Sequence, residues 1–164
     1  MAITQLEKGN VFRALHQGPG PFVIANAWDA GSARILAGLG FPALATSSGA
    51  SAGIYGRRDG GITRDQALAH ARAIVAATDL PVSADLESGF GEEPEEVAET
   101  YRQAAVAGLV GATLEDATPG RNKDKPLFDI GEAKRRETLV EGQSLEVKHQ
   151  RPMATSDFRR FPCR

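Results

Sequence analysis

The chain holds a single cysteine, Cys163, next to its C-terminal residue. One thiol excludes an internal disulfide framework and agrees with a reducing compartment. Long apolar runs are missing too: no stretch reaches the roughly 20 residues that a bilayer-crossing helix needs. The opening MAITQLEKGNVF lacks the basic and apolar regions of a secretory leader. Positive charge is not in surplus either. With 19 Lys and Arg against 21 Asp and Glu, the net charge is -2, which gives neither nucleic acid nor an anionic membrane surface a reason to bind. No Gly-Lys-Ser/Thr triplet occurs, so a Walker loop is excluded. GFGEE at 89–93 lacks the third glycine of a dinucleotide fingerprint. The expectation is a soluble cytoplasmic protein whose partner is a small molecule. At 164 residues, 41% hydrophobic and 24% charged, it can build one real core.

What is present is alternation. Residues 4–16 place Leu6, Phe12 and Leu15 near one helical face, with Thr4 and Glu7 in capping-box spacing. GPGP at 18–21 breaks the chain, and FVIAN (22–26) reads as a buried parallel strand. Asp29 and Ser32 flank the start of the helix AGSARILAGLG. PALATSS (42–48) is a second strand, running into the loop SGASAGIYGRRDGG; Thr63 or Asp65 then starts an alanine-rich helix. LPVSADLE (80–87) is a third strand, and Pro94 opens a helix with its acids in the first turn. LVGATLED (109–116) is a fourth, followed by ATPGRNKDKP and the start of a helix over 127–141. Four strand–helix units at about 30-residue spacing imply a parallel sheet with helical crossovers. An open doubly wound sheet and a (β/α)8 barrel both satisfy that pattern.

Both architectures place ligands beyond the carboxyl ends of the strands. Asn26 and Asp29, Ser47 to Gly49, Asp85 with Glu87, and Glu115 with Asp116 fall there. Asp85 and Glu87 are two apart, so on an extended strand they share a face, and an adjacent parallel strand brings Glu115 near. Three converging carboxylates repel unless a cation sits between them, and hard oxygen ligands suit Mg²⁺ or Mn²⁺ better than zinc. The plainer alternative makes them solvated loop acids or caps, and Glu92, Glu93, Glu95 and Glu96 are assigned wholly to that alternative. Ser47 to Ser51 offers hydroxyls and unhindered amides, the chemistry of an anion cradle, or simply a loop. His16, His70 and His149 read as surface residues, and Cys163 lies too close to the end for a nucleophile. Trp28 lines a pocket or packs; Arg57 and Arg58 attract an anion or are solvated.

Five segments taken together, ANAWDAGSARI (25–35), ATSSGASA (45–52), GRRDGG (56–61), ADLESGFG (84–91) and GATLEDAT (111–118), carry a resemblance. They resemble the isocitrate lyase and phosphoenolpyruvate mutase superfamily. The likeness is to its phosphoenolpyruvate mutase, carboxyphosphonoenolpyruvate mutase and methylisocitrate lyase-like members. It runs from about residue 5 to about 133. It implies a TIM-type parallel (β/α) barrel, a Mg²⁺ ion (Mn²⁺ as substitute), and a 2-oxo acid or enolpyruvate substrate. The implied chemistry is C–C or P–C bond cleavage or formation, in a homo-oligomer. By position, Asp85 matches the principal metal carboxylate and Glu87 a second. Glu115 matches the acid of the Leu-Glu-Asp motif, with a metal and catalytic role. Asp59 matches a catalytic acid that meets the metal through water. Ser48, Gly49 and Ala50 match the loop that holds substrate carboxylate or phosphoryl oxygens. The Lys-Lys-Cys-Gly-His loop of the family's lyases has no counterpart, and Arg121, Asn122 or Lys123 stand only loosely for the mutases' gating residues. Isocitrate or methylisocitrate cleavage is therefore not expected.

Charge divides the chain. Residues 1–131 hold 11 Lys and Arg against 16 Asp and Glu, a net of -5; residues 132–164 hold 8 against 5, a net of +3. Beyond about residue 134 the apolar residues follow neither helical nor strand period, apart from a short helical stretch through Glu141. The expectation is that 1–133 forms the N-terminal half of a barrel, truncated to about four βα units. Residues 134–164 are expected to be a disordered or out-of-frame tail that adds no strand. A second reading makes the chain an inactive fragment that at most binds metal or a partner. A third makes it an open-sheet domain with another phosphate ligand.

Overall fold

The structure is a computed structural model that describes residues 3–118, 124–141 and 146–150, with residues 141 and 146–150 described through their backbone alone. Local chemistry fixes most helix starts. Helix α1 (Gln5–Gln17) opens on a capping box: Thr4 Oγ1 accepts from the Glu7 amide at 3.2 Å, and Glu7 Oε2 accepts from the Thr4 amide at 2.7 Å. After strand β1 (Ile24–Asn26), helix α2 (Ala30–Gly38) starts the same way, with Asp29 Oδ1 accepting from Ser32 N at 2.7 Å. Strand β2 (Ala43–Ala45) leads into a short helix α3 (Ser48–Ile54), and Thr63 with Gln66 caps α4 (Arg64–Ala77). Strand β3 (Val82–Asp85), helix α5 (Pro94–Val106), strand β4 (Gly111–Glu115), helix α6 (Ile130–Glu141) and strand β5 (Glu146–Gln150) complete the order.

The five strands pair in chain order, β1-β2-β3-β4-β5, and every pairing is parallel. A doubly wound sheet reverses its strand order at a switch point. Sequential order without reversal is the wall of a (β/α) barrel, so topology decides what the sequence pattern left open. The register places Asp85 opposite Thr113 and Glu115 opposite Gln150, which sets the acidic strand ends side by side. Among the described residues no helix is long and apolar enough to cross a membrane.

The main core lies between sheet and helices. Leu44, Ile74, Val82, Leu86, Val97, Tyr101 and Leu109 are buried there among Ala33, Ala71, Ala84, Ala104 and Ala112, whose small side chains let the helices approach the strands. Gly108 (φ +92°) marks one close approach: a Cβ there would lie 2.8 Å from Val75 Cγ1. Tyr101 is fully buried and donates its hydroxyl to the Thr113 carbonyl at 2.6 Å. Burial holds its phenol well above the ordinary tyrosine range, so it remains a donor.

Two segments depart from expectation. SGASAGI, with two glycines, was expected as a loop but forms α3, because Ser48, Ala50, Ser51 and Ala52 are all buried and tertiary packing outweighs weak helix propensity. Residues 146–150 were expected to add no strand, yet they pair along the whole of β4, from Gly111 to Glu115. The free edge of β4 offers backbone donors and acceptors that any extended segment can satisfy, whatever its side-chain period. Helix α6 also belongs to the core through Val140 and Arg136, both buried. The fold therefore continues past the expected boundary at 133, while 142–145 and 151–164 lie outside the described residues.

Two measurements check these assignments. Tyr101→Phe removes a buried donor and should cost about 1–2 kcal/mol in urea unfolding; no loss would mean that the hydroxyl bond carries nothing. The Ser32 amide and hydroxyl hold the Asp29 carboxyl below the usual range. A depressed folded-state pKa stabilises above the unfolded value and loses that contribution as pH falls through the folded one. Asp29→Asn keeps an acceptor but cannot titrate. The stability difference between wild type and this variant should therefore be largest near neutrality and shrink in acid. A difference that is constant with pH would count against the cap.

Candidate functional site

Asp85, the last residue of β3, receives its amide bond from outside its strand: its N–H donates to Thr46 Oγ1 at 3.0 Å. Its carboxylate then accepts from two amides, Ser48 N on Oδ2 at 3.0 Å and Glu87 N on Oδ1 at 3.1 Å. One side chain thus ties the end of β3 to the start of α3 and to its own exit loop. Glu115 N donates to the Glu87 carbonyl at 2.9 Å, which fastens the end of β4 to the same loop. Asn26 adds a bond from its Nδ2 to the Thr46 carbonyl at 3.1 Å. The carboxyl edge of four strands is one hydrogen-bonded rim.

Asp59, Glu87 and Glu115 line a common cavity of about 190 Å³, together with Gly60, Ser88, Ala117 and Thr118. Three of the acids singled out from sequence therefore meet, although Asp59 comes from the α3–α4 loop. Asp85 does not line this cavity, because its oxygens face the Ser48 and Glu87 amides. The shared face expected from two-residue spacing fails for a local reason. Glu87 has already left the strand, with φ +51° in the left-handed region, so strand parity no longer orients it. Among the described residues no three His, Cys, Asp or Glu side chains form a group that could close on a metal as they stand. The donor chemistry nevertheless fits one type of ion. Mg²⁺ keeps several waters and binds through one or two carboxylates, so a small cavity walled by three acids and two hydroxyls suits a hydrated divalent ion better than a stripped one.

The Ser48–Ala50 turn is also partly engaged. Ser48 N serves Asp85, and Ala50 N makes a long 3.5 Å bond to Ser47 Oγ; Gly49 is exposed. Arg57 reaches the Gly61 carbonyl at 3.0 Å and Gln66 at 3.4 Å, so it orders its own loop, whereas Arg58 is exposed. Of the acids around the start of α5, Glu96 acts as a cap, its Oε2 accepting from the amides of Glu92 and Glu93. Trp28 is 62% exposed and does not line this cavity. Arg121, Asn122 and Lys123 lie outside the described residues.

Two residues matter more than their sequence context suggested. His70 is buried, not at the surface: Nδ1 lies 2.8 Å from Ser51 Oγ and Nε2 lies 2.7 Å from the Trp28 carbonyl. It latches α4 to α3 and to the β1–α2 turn. An isolated histidine in an alanine-rich helix carries no signal of that. Arg136 is 1% exposed and donates to three carbonyls of the loop after β3, those of Ser88, Gly91 and Glu92. Its only local trace in the sequence is Glu132 four residues before it. His16, read as a surface residue, is half-buried between Phe12 and Phe22.

A parallel sheet in sequential strand order, with acids gathered at its carboxyl edge, defines a protein of the (β/α)-barrel class. The chain belongs to the phosphoenolpyruvate phosphomutase family, within the phosphoenolpyruvate mutase/isocitrate lyase superfamily, whose sequence profile matches residues 12–148. That match runs beyond residue 133, where the resemblance was expected to stop. Similar solved structures include a lyase/mutase candidate from Burkholderia cenocepacia J2315, at 44% identity and TM-score 0.84, covering 90% of this chain and 54% of that one. The 2,3-dimethylmalate lyase of Eubacterium barkeri is 40% identical over 96 residues, 57% of this chain and 33% of its own length. A phosphonopyruvate hydrolase complex with oxalate and Mg²⁺ shares the fold at TM-score 0.82 and 21% identity, covering 91% of this chain and 53% of that one. The chain spans less than half the length of the curated relatives it matches.

If Asp85 is the fastener of this rim, Asp85→Ala should accelerate amide hydrogen exchange at Ser48 and Glu87 by tenfold or more. Exchange at Tyr101 and Ala104, in the buried middle of α5, should hardly change. Equal protection of Ser48 and Glu87 in both proteins would show that the carboxylate bonds are dispensable.

Proposed function

We propose that this chain forms the metal- and substrate-binding wall of an enzyme that acts on 2-oxo acid or enolpyruvate substrates by C–C or P–C bond cleavage or formation. The observation that carries the reading is the meeting of Asp59, Glu87 and Glu115 around one small cavity at the carboxyl edge of the sheet, in a member of this family. Glu87 and Glu115, which line the cavity, are the residues that would hold Mg²⁺, with Mn²⁺ as a substitute; Asp85, outside the cavity lining, would join them through a lone pair left over from its two amide bonds. When bound, such an ion supplies positive charge that stabilises a developing oxyanion of the substrate.

The chain's own groups do the rest. Asp85 keeps the β3 exit loop and the start of α3 in fixed relation, so that the acids and the Ser48–Ala50 turn are set before ligand arrives. Ser48, Gly49 and Ala50 hold the carboxylate or phosphoryl oxygens of the substrate, with Gly49 the exposed member of the three. Asp59 and Glu115 accept hydrogen bonds from water in the cavity and keep it oriented toward the ion. The loop after β4, ATPGRNKDKP, contains neither cysteine nor histidine. It supplies no thiol to protonate a departing succinate-like product, and cleavage of isocitrate or methylisocitrate is not part of this reading.

The alternative is a catalytically inactive fragment that at most binds metal or a partner, and it is favoured by the acids as they stand, since among the described residues no three of them close on an ion. Both readings meet the same experiment. Mn²⁺ titration followed by electron paramagnetic resonance should show binding to the wild type that falls by at least tenfold in Glu115→Gln. Any turnover of pyruvate-like acids should stop with chelator and in Asp85→Ala. Binding without turnover selects the alternative, turnover unaffected by chelator overturns the metal reading, and brisk methylisocitrate cleavage refutes the narrower claim about the thiol.

A further inference from the structure

The loop between β3 and α5 follows a backbone path that it would not choose alone. Glu87 and Phe90 take left-handed φ values of +51° and +57°, uncommon for residues with side chains. Between and after them the loop is pressed against α5. A Cβ on Gly89 would lie 2.5 Å from Val97 Cγ1, and one on Gly91 would lie 2.5 Å from Glu96 Cβ. Thr100 Oγ1 donates to the Gly89 carbonyl at 2.7 Å.

Arg136 of α6 closes this loop from the other side. Nη1 donates to the Glu92 carbonyl at 2.7 Å, and Nη2 donates to the Ser88 carbonyl at 3.0 Å and the Gly91 carbonyl at 2.8 Å. The guanidinium lies 4.1 Å over the Phe128 ring, and its nearest carboxylate contact is a 4.0 Å approach to Glu132. A buried cation with a 4.0 Å approach to Glu132 and longer-range attraction to Glu93 and Glu96 gains little from ion pairing, and an apolar side chain of similar volume often stabilises as well or better. A guanidinium does offer a planar fork of donors that pins several acceptors in one fixed arrangement. The acceptors pinned here belong to the loop that carries Glu87 and Ser88 into the cavity shared with Asp59 and Glu115.

We propose that Arg136 is a positioning residue for the candidate site: by gripping the Ser88, Gly91 and Glu92 carbonyls it holds Glu87 and Ser88 where the cavity needs them. The inference rests on the metal-binding reading above, and it assigns a role to a residue that touches neither the cavity nor a ligand.

The test compares Mn²⁺ affinity in wild type, Arg136→Met, Arg136→Lys and Thr4→Ala, the last a cap variant of α1, which contacts neither the loop nor the cavity. Affinity is read by electron paramagnetic resonance where circular dichroism shows each protein folded. Arg136→Met should bind Mn²⁺ at least tenfold more weakly, Arg136→Lys should recover part of the loss, and Thr4→Ala should match wild type. Wild-type affinity in a folded Arg136→Met overturns the proposal, as does an equal loss in Thr4→Ala. Should Arg136→Met fail to fold, Arg136→Lys decides: a several-fold loss supports the role and an unchanged affinity overturns it. If wild type itself binds no Mn²⁺, the metal reading fails separately. Metal-free amide exchange at Glu87 and Ser88 then decides for Arg136: acceleration in Arg136→Lys supports positioning, and unchanged protection overturns it.

Discussion

Asp85 commits its carboxylate oxygens to two backbone amides, and its own amide to the Thr46 hydroxyl. The strands here are short, three to five residues each, so their ladders alone fix little of what happens beyond the last pair. What happens there decides the site. With Ser48 and Glu87 tied to one side chain, and Glu115 N tied to the Glu87 carbonyl, the exits of β2, β3 and β4 become one unit. An acceptor-only group is suited to the task because each oxygen can take an amide and still present lone pairs elsewhere. The cavity acids depend on this fastening, and so does the turn proposed for substrate.

The sequence was most readable where the physics is local. Thr4 with Glu7, Asp29 with Ser32, and Thr63 with Gln66 lie three apart, and each forms the reciprocal cap that such spacing allows. Strand ends were legible because apolar runs stop at polar residues, and Asp59, Glu87 and Glu115 do share a cavity. Legibility ended where a distant partner decides the conformation. Parity failed at Glu87 because the chain turns left-handed one residue after Leu86. Burial made a helix of a glycine-bearing stretch at 48–54. Strand β5 was invisible because its pairing is made by backbone along an edge that β4 leaves open. His70 and Arg136 were missed for one shared reason: each is defined by carbonyl oxygens from remote segments, and no residue type announces a carbonyl.

Helix α6 shows what this means for the charge division of the chain. The positive balance beyond residue 131 suggested a solvated end, yet Arg136 lies in the core and its helix packs Val140 there as well. A net-charge count treats every arginine as surface. One arginine whose donors meet three backbone acceptors carries the opposite meaning, and it joins the last described helix to the loop that follows β3.

The latch at His70 has a consequence for proton placement. The Trp28 carbonyl can only accept, so the proton of a neutral imidazole belongs on Nε2. Nδ1 is then an acceptor, and the Ser51 hydroxyl must point its hydrogen at the ring. The chain of bonds from α3 through α4 to the β1–α2 turn thus has a direction, set by one backbone oxygen. The imidazole is therefore held to a single tautomer, and the two helices and the turn it joins share one fixed polarity.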